Sequence, residues 1–430
     1  MEKSERRSPK MWDEAGGSVT LLCLTASSGV PLYCRSRGGA SKQQLPFSVI
    51  GSLNGVHMFG SNLDVLLTAA CTENTRVVWK VFHNSITLIV LSSDEGASDF
   101  SLGRLLENVF SAMVLVLGLE ELVNARNIER LKKDLKACYK LIDSFLEPGK
   151  CTADLTQCAE CTMVPSRAIL QECLEVFASA AESRFGSLLV GSQVLCATEQ
   201  WWQLAASEAM LLVWLVCSLP PHTSRDLPVY LPHGSPTVPH RFLTLQLVPG
   251  LEVLLLCGPK PSLQFLADEL VKRFWQPLLD LLKASARAPP RCLPPGISLA
   301  PGILGLLLIN QDQRKSLFTV EPQGTSAEGS EMPLKNRLSA LRSFYSLTVS
   351  LYFPCEKFEE SAVPLQEEFQ AGFSHCPQHC YLVYATYKAY AIHGKRHQLF
   401  LIVKPDVPTF ALRSLATSTL QTLTAEDSAF

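Results

Sequence analysis

The stretch that decides the fold is QLPFSVIGSLNGVHMFG, residues 44–60. Placed on a helix at about 100° per residue, this stretch is apolar on two sides. The side that we expect to face the core holds Leu45, Val49, Leu53 and Val56. The opposite side holds Phe47, Ile50, Asn54 and Met58, and a strip of small residues lies between them at Ser48, Gly51, Ser52 and Gly55.

Two glycines inside a helix cost about 1 kcal/mol each relative to alanine. Their presence indicates that another backbone approaches the helix closely at Gly51 and Gly55. One side of the helix would pack on its own sheet, so the other side is predicted to contact a second domain or a second chain. Packing against the chain's own third domain is the alternative.

Composition limits the class of protein. The chain has 430 residues, of which 47% are hydrophobic and 18% charged, and its net charge is −2. A length of 430 residues suggests about three domains, and the near-neutral charge gives no global field for nucleic acid. The N-terminal residues lack the apolar core of a signal peptide, and most of the fifteen cysteines lie in apolar runs, so we expect a reducing, cytoplasmic setting.

Strand and helix patterns recur three times along the chain. After a polar tail at residues 1–17, the first unit reads as two strands, the helix above, three strands and two helices. Similar units begin near residues 187 and 303. Within the three units the patterns predict, among other elements, strands over 62–71, 303–310 and 397–403 and a helix over 199–218. Breaks rich in proline and polar residues at 147–167 and 288–301 place domains at 18–150, 151–290 and 291–430.

Several segments carry a resemblance to a known family. They are LLCLTASSGVPLYCRS (21–36), residues 44–60, NIERLKKDLKACYKLIDSFL (127–146), EQWW (199–202), PVYLPHGSPTVPHR (228–241) and LFTVEP (317–322). The chain resembles the triple-longin family, in its planar cell polarity effector branch. That resemblance implies an α/β fold of three longin-like domains, each a mainly antiparallel five-stranded sheet flanked by helices.

The resemblance also implies a function. Members pair as heterodimers through their first longin domains and act on Rab-type small GTPases as exchange factors. For this branch the implied partners are an Inturned-like triple-longin protein and a WD-repeat planar cell polarity effector. The implied role is in ciliogenesis and membrane trafficking, linked to hedgehog signalling, at the ciliary base or basal body and the cytoskeleton. A trafficking adaptor or scaffold without exchange activity is the alternative.

The partner site is predicted in the first domain, on the second strand and the opening helix. A hairpin strand with a free edge invites strand addition, which points to Val30–Arg35. The predicted contact residues are Val30, Leu32, Tyr33, Phe47, Ser48, Ile50, Gly51, Asn54, Gly55 and Met58.

Motifs for chemistry are missing from the sequence. It contains no phosphate-binding loop, dinucleotide-binding glycine motif, metalloprotease motif or serine-hydrolase elbow, so we predict no catalytic site and no cofactor. The cluster His375–Cys380 and the pair Cys158 and Cys161 could ligate zinc, but ordinary loops are the better interpretation. We therefore predict no metal.

A basic helix is the last candidate. The pattern predicts a helix over 124–145 whose polar face carries Arg126, Arg130, Lys132, Lys133 and Lys136. Such a face could lie on an anionic membrane, although a solvated face interrupted by Glu129 and Asp134 is the more common case.

Overall fold

The computed structural model describes residues 17–38, 45–94, 96–147, 151–164, 166–220, 223–287, 292–294, 296–322, 332–353 and 377–425. The expected N-terminal tail, apart from Gly17, lies outside the described residues, and so do His375 and Cys376. The chain divides into two compact units, one of residues 1–110 and 122–148 and one of residues 111–121 and 149–430.

The first unit is built on a five-stranded antiparallel sheet in the order β2-β1-β5-β4-β3. Its strands are β1 (Val19–Thr25), β2 (Pro31–Arg37), β3 (Ala69–Cys71), β4 (Arg76–Phe82) and β5 (Ile86–Ser92). The two most apolar runs, in β1 and β5, pair with each other at the centre, where both sheet faces are covered. The strand that was expected over 62–71 begins only at Ala69, because the preceding helix ends at Asn62 and a turn follows at residues 63 and 64.

The helices of this part of the chain are α1 (Phe47–Asn62), α2 (Asp99–Leu117), α3 (Leu119–Val123), α4 (Ile128–Asp134) and α5 (Tyr139–Leu146). The prediction of one continuous helix over 124–145 is wrong. Asn127 accepts a hydrogen bond from the backbone N–H of Arg130 and so begins a new helix, and a 3₁₀ turn at Leu135–Cys138 separates α4 from α5.

α2 is long and apolar enough, by length and composition alone, to span a membrane. Half of that apolar window is buried inside the protein, as in the core helix of a globular domain. Phe110 of α2 stacks on Phe82 of β4, with ring centroids 4.2 Å apart. Glu107 pairs with Lys80 at 2.7 Å, so α2 is fixed on the sheet by packing and by charge.

The second unit is built on one eleven-stranded sheet, in the order β14-β15-β16-β12-β13-β6-β8-β7-β11-β10-β9. Its strands are β6 (Ala159–Cys161), β7 (Phe185–Val190), β8 (Gln193–Ala197), β9 (Ser224–Leu231), β10 (Ser235–Val248), β11 (Leu251–Cys257), β12 (Ile303–Asn310), β13 (Lys315–Thr319), β14 (His379–Val383), β15 (Lys388–His393) and β16 (His397–Val403). Apart from β6, the sheet consists of two five-strand groups, and each group repeats the strand order of the first unit.

β6 joins these two groups. It pairs in parallel with β13 on one side and with β8 on the other. The carboxylate of Glu160 in β6 is buried and accepts hydrogen bonds from the N–H and hydroxyl of Thr152, at 2.6 and 2.9 Å, and from the N–H of Ala153. The segment 147–167, predicted as a loop, therefore contributes a strand to the sheet.

The helices of the second unit are α6 (Ala153–Thr156), α7 (Arg167–Ala180), α8 (Glu199–Trp202), α9 (Ala206–Ser218), α10 (Leu263–Phe265), α11 (Val271–Phe274), α12 (Leu279–Ala286), α13 (Leu334–Leu351) and α14 (Leu412–Ala425). The helix expected over 199–218 is split into α8 and α9, and α7 was not predicted. A π-helical turn at Leu266–Leu270 joins α10 to α11. Arg342 of α13 pairs with both carboxylate oxygens of Asp154 at 2.6 Å, which fixes this helix to the segment that carries β6.

Candidate partner-binding surface

Helix α1 packs on the first sheet through a stripe that includes Leu53 of the predicted one, with Leu45 just before the helix, but that also includes Ile50. Ile50 is only 8% exposed and joins Leu24, Val77 and Ile89 in one apolar cluster, which Leu53 also contacts. The Nε1–H of Trp79 on β4 donates to the carbonyl of Leu53 at 3.2 Å. The assignment of Ile50 to the partner side is therefore wrong, because Ile50 is part of the core.

The outward side of α1 is apolar and exposed. We call it the outer surface of α1 and define it by its large side chains together with Ser48, Gly51, Ser52 and Gly55. The large side chains are Phe47, Val49, Val56, Met58 and Phe59. Phe47 is 82% exposed and Phe59 65%, whereas Val49 and Val56, expected in the core, are on the outward side.

Phe59 was not among the predicted site residues. At 100° per residue it lies nine positions from Ile50, which places it on the opposite side of the helix. The sequence contained this signal, but the wrong choice of core stripe concealed it. Beyond the helix, Leu63, Val65 and Leu66 are also exposed, so the apolar area continues past the C-terminal end of α1.

The small residues make the middle of this surface a shallow depression. Apart from the adjoining backbone of the helix itself, no atom of the described residues lies within 4 Å of the position that a Cβ would take at Gly51 or Gly55. The hydroxyl of Ser52 donates to the carbonyl of Ser48 at 2.9 Å, which turns that polar group back onto the helix. Another backbone could approach α1 closely here.

Asn54 has an internal role. Its side-chain amide is packed under the hairpin turn, where a Cβ on Gly29 would lie 2.2 Å from Nδ2 of Asn54. Gly29 has a φ of +64°, a conformation that glycine adopts without strain. Asn54 Nδ2 also lies 3.3 Å from the sulfur of Met58. Asn54 therefore supports the turn and is less available to a partner than Met58.

Strand β2 has the free edge that the sequence predicted, since it ends the five-stranded sheet. Val30 immediately precedes the strand. The side chains of Leu32 and Tyr33 are buried, and the ring of Tyr33 packs edge-on against Tyr139 with centroids 5.7 Å apart. Neither side chain is available to a partner, and burial raises the pKa of Tyr33 well above its usual value.

The hydrogen-bonding direction of β2 follows from its neighbours. Ser93 N donates to Ser18 O, so the even-numbered residues of β1 face β5 and the odd-numbered residues face β2. Arg35 and Arg37 of β2 pair with odd residues of β1, so the backbone groups of Cys34 and Ser36 point to the free edge. The guanidinium of Arg35 hydrogen-bonds Asp143 of α5, which fixes this end of the strand.

The basic residues predicted for membrane contact do not form one face of a continuous helix. Arg126 precedes α4, Arg130, Lys132 and Lys133 lie in α4, and Lys136 lies in the 3₁₀ turn. Arg130 pairs with Asp134 and Lys132 pairs with Glu129, so part of the positive charge is balanced locally. Arg126, Lys133 and Lys136 are exposed.

The described residues contain no group of three or more His, Cys, Asp or Glu side chains arranged to hold a metal ion. The cluster His375–Cys380 is only partly described, and its last residue, Cys380, belongs to β14. Cys158 and Cys161 are both buried, and burial raises the pKa of Cys161 to about 12. A thiol held in its protonated form is a poor metal ligand.

Two of the segments that carried the family resemblance are brought together around a buried carboxylate. Glu208 of α9 accepts hydrogen bonds from the N–H groups of His233 and Gly234, at 2.7 and 2.8 Å, and from Ala205 N–H. An open cavity of about 790 Å³ is lined by Glu208, by His233 and Gly234, and by Gln200 of the EQWW segment. The hydrogen bonds of Glu208 have a structural role, because they tie the turn between β9 and β10 to the start of α9.

Comparison with known protein families gives three matches along the chain. Models of the first, second and third longin domains of FUZ, MON1 and HPS1 match residues 19–145, 181–276 and 302–427. The prediction of an α/β fold with three longin domains is confirmed. The structure adds that the sheets of the second and third domains are continuous through β6.

Individual relatives match over almost their full length. The protein fuzzy homolog of Xenopus tropicalis is 58% identical over 413 residues, which covers 95% of this chain and 98% of that protein. The human protein fuzzy homolog is 55% identical over 417 residues, with 95% and 98% covered. The mouse homolog is 54% identical over 425 residues, with 96% and 99% covered.

Proposed function

This chain belongs to the triple-longin family of FUZ, MON1 and HPS1, and we propose that it is a non-catalytic subunit of a planar cell polarity effector complex. In this proposal it pairs with an Inturned-like triple-longin protein. The pair, together with a WD-repeat effector, binds a Rab-type small GTPase and promotes nucleotide exchange. The work is done in the cytoplasm at the ciliary base, in ciliogenesis and membrane trafficking.

The observation that carries this proposal is the outer surface of α1. Five large apolar side chains are exposed on one helix, and three more follow directly after it. Single exposed apolar residues are ordinary on protein surfaces, but a contiguous group of this kind marks an interaction site. The depression at Gly51 and Gly55 would accept a ridge of the partner.

The edge of β2 supports the same assignment. Its counterparts in the second and third domains, β8 and β13, both accept β6 as an additional strand. β2 occupies the same position in its sheet, yet no strand of the described chain pairs with its outer edge. We propose that the partner covers this edge as well as the outer surface of α1.

Exchange activity requires no covalent catalyst. A protein that binds the nucleotide-free GTPase more tightly than the nucleotide-bound form accelerates release through that difference in affinity alone. An apolar docking surface without acid–base or nucleophilic groups is therefore sufficient for such a subunit.

Release of a fluorescent GDP analogue from a panel of Rab-type GTPases tests the proposal. We expect the co-purified heterodimer to accelerate release from at least one GTPase, and the chain alone to have a much smaller effect. Stable binding of a GTPase without faster release would favour the adaptor or scaffold function instead. Failure of the two longin proteins to form a complex would contradict the proposal itself.

A further inference from the structure

The open cavity of about 790 Å³ beside Glu208 is lined by residues of both the second and the third domain. The second domain contributes the residues just before β7, helix α8 and the turn between β9 and β10. The third domain contributes Arg314, in the turn between β12 and β13. Volumes of about 300 to 1,000 Å³ are typical of ligand-binding clefts. The cavity is therefore large enough to hold a ligand that contacts both domains.

Two charged residues of this cavity occupy backbone positions that usually hold glycine. Helix α7 ends in a Schellman motif, in which Ser183 N donates to Ala178 O. Glu182 N donates to Ser179 O in the same motif, and Glu182 has a φ of +54°. Arg314 ends the turn between β12 and β13 with a φ of +55°. Non-glycine residues in this left-handed conformation are strained, and such strain clusters at functional sites.

Two guanidinium groups at the cavity have no counter-ion in the described part of the chain. Arg184 and Arg314 both line the cavity and are exposed. Neither side chain makes an ion pair or a hydrogen bond with another described residue, whereas Arg225 and Arg241 of the same unit each pair with a carboxylate. Guanidinium groups bind carboxylates through charge-assisted hydrogen bonds. A ligand in the cavity that carries acidic groups would therefore meet two unpaired cations, one from each domain.

The rest of the lining combines apolar and amide side chains. Leu204, Leu231 and Leu256 are buried and form what we call the apolar floor of the cavity. Gln200 and Gln203 also line it, and a carboxamide can donate to a main-chain carbonyl and accept from a main-chain N–H. These groups suit a ligand that has apolar side chains and amide groups as well as an acidic group. A peptide segment has all three.

Glu182 favours a peptide over a phosphate group. Its carboxylate is exposed at the cavity and makes no ion pair with a described residue. A phosphate group carries nearly two negative charges at neutral pH, so Glu182 would repel it. A peptide carries one charge for each acidic side chain and also offers main-chain N–H groups, which Glu182 can accept. The carboxylate of Glu208 already accepts three backbone N–H groups and does not change this preference.

We infer that this cavity binds a peptide segment of a partner protein in which acidic residues are adjacent to apolar ones. The acidic side chains pair with Arg184 and Arg314, and the apolar side chains contact the apolar floor. Glu182 and the two glutamines bind main-chain groups of the segment. The bound segment contacts the second and third domains together. This site is separate from the outer surface of α1 and does not depend on the proposed exchange function.

The probe for this inference is a fluorescent octapeptide, GSLEELSG, which places two glutamates between two leucines. We expect the full-length chain to bind it, and we expect Arg184→Gln and Arg314→Gln each to weaken binding about tenfold, which corresponds to about 1.4 kcal/mol. Both arginines are exposed, so the variants should remain folded. Arg273→Gln is the matched control, since it removes an exposed arginine of α11 outside the cavity and should bind like the wild type.

Two further measurements make the result decisive. The uncharged peptide GSLQQLSG should bind the wild-type chain at least tenfold more weakly. Inorganic phosphate should displace the bound probe no better than sodium chloride of equal ionic strength. Absence of binding by GSLEELSG would overturn the inference, and so would equal binding to the wild-type chain and to both cavity variants. Displacement by phosphate, or binding of anionic vesicles that depends on the same two arginines, would assign the cavity to a phosphate group and overturn it too.

Discussion

Helices α1 and α9 occupy the same position in two copies of one fold, between the second and third strands of the first and second domains. Both are apolar on more than one side. In α9, eight of thirteen residues are buried, and the buried run from Glu208 to Val213 covers every side of the helix. In α1, only Ile50 and His57 of sixteen residues are buried.

The difference between the two helices indicates which apolar surface of the chain is left uncovered. The apolar residues on all sides of α9 are buried within the second unit. α1 has a similar composition, but the outer surface of α1 is exposed. A helix that is apolar on all sides is a buried helix, so α1 has the composition of a helix that becomes buried when a partner binds.

The largest expected effect comes from a substitution on the core side of α1. Ile50→Asp places a carboxylate in the cluster with Leu24 and Val77, and should lower the free energy of unfolding of the first unit by about 3 to 5 kcal/mol. Thermal and urea unfolding of the full chain measure this. A variant as stable as the wild type would show that Ile50 is not in the core, as the sequence pattern had suggested.

The next effect concerns the outer surface of α1 alone. Phe59→Asp removes an exposed ring and places a charge at the proposed contact, so we expect partner affinity to fall more than a hundredfold, about 3 kcal/mol. Unfolding should change little because Phe59 is 65% exposed. Titration of the purified variant against the Inturned-like partner measures the loss. Undiminished affinity would exclude Phe59 from the interface.

Gly55→Leu sharpens the comparison, because it should change binding and stability in opposite directions. Leucine is a better helix former than glycine by roughly 1 kcal/mol, and among the described residues only the helix's own backbone lies within 4 Å of the added Cβ. We expect slightly higher thermal stability with about tenfold weaker partner binding. A variant that binds as tightly as the wild type would show that no backbone approaches the helix at Gly55.

Ser36→Pro tests the edge of β2. The N–H of Ser36 points outward, so proline should remove one donor from a pairing strand and weaken partner binding up to about tenfold. Ser36→Ala is the control, since both changes remove the hydroxyl contact with Thr20. If the two variants bind equally, the partner does not add a strand to β2.

The smallest effect is a pH dependence at His57. Burial lowers the pKa of His57, and its Nε2 has no hydrogen-bond partner among the described residues. The unfolded chain binds the proton more readily, so stability should be full above about pH 6.5 and should fall as pH decreases through the folded-state pKa. Urea unfolding at pH 5.5 and 7.5 should show a smaller difference for His57→Leu than for the wild type. An unchanged difference would assign the pH dependence to other groups.

The sequence predicted the order of elements well and the orientation of α1 badly. The central strands Ile303–Asn310 and His397–Val403 match the prediction to the residue, because continuous apolar runs bounded by turns leave little choice. The predicted orientation of α1 was wrong because both of its sides are apolar, so periodicity does not distinguish the core side from the surface side.

Two elements, β6 and α7, were not predicted from the sequence, for different reasons. β6 is three residues long and pairs in parallel with strands that are distant in sequence, and no local pattern encodes that. α7 did carry a helical pattern, since Leu170, Leu174 and Phe177 follow the 3.6-residue period and are all buried in one cluster. This helix begins at Arg167, where the break rich in proline and polar residues ends, so the two were not distinguished in the sequence.

Hydrogen exchange of the full chain, with and without the bound Inturned-like partner, tests the central claim most directly. A partner that covers the outer surface of α1 stabilises that helix, so the amides of residues 47–62 should exchange more than tenfold more slowly in the complex. The amides of α9, already surrounded by its own unit, serve as the internal reference and should change little. A complex that forms while exchange in residues 47–62 stays unchanged would contradict the account.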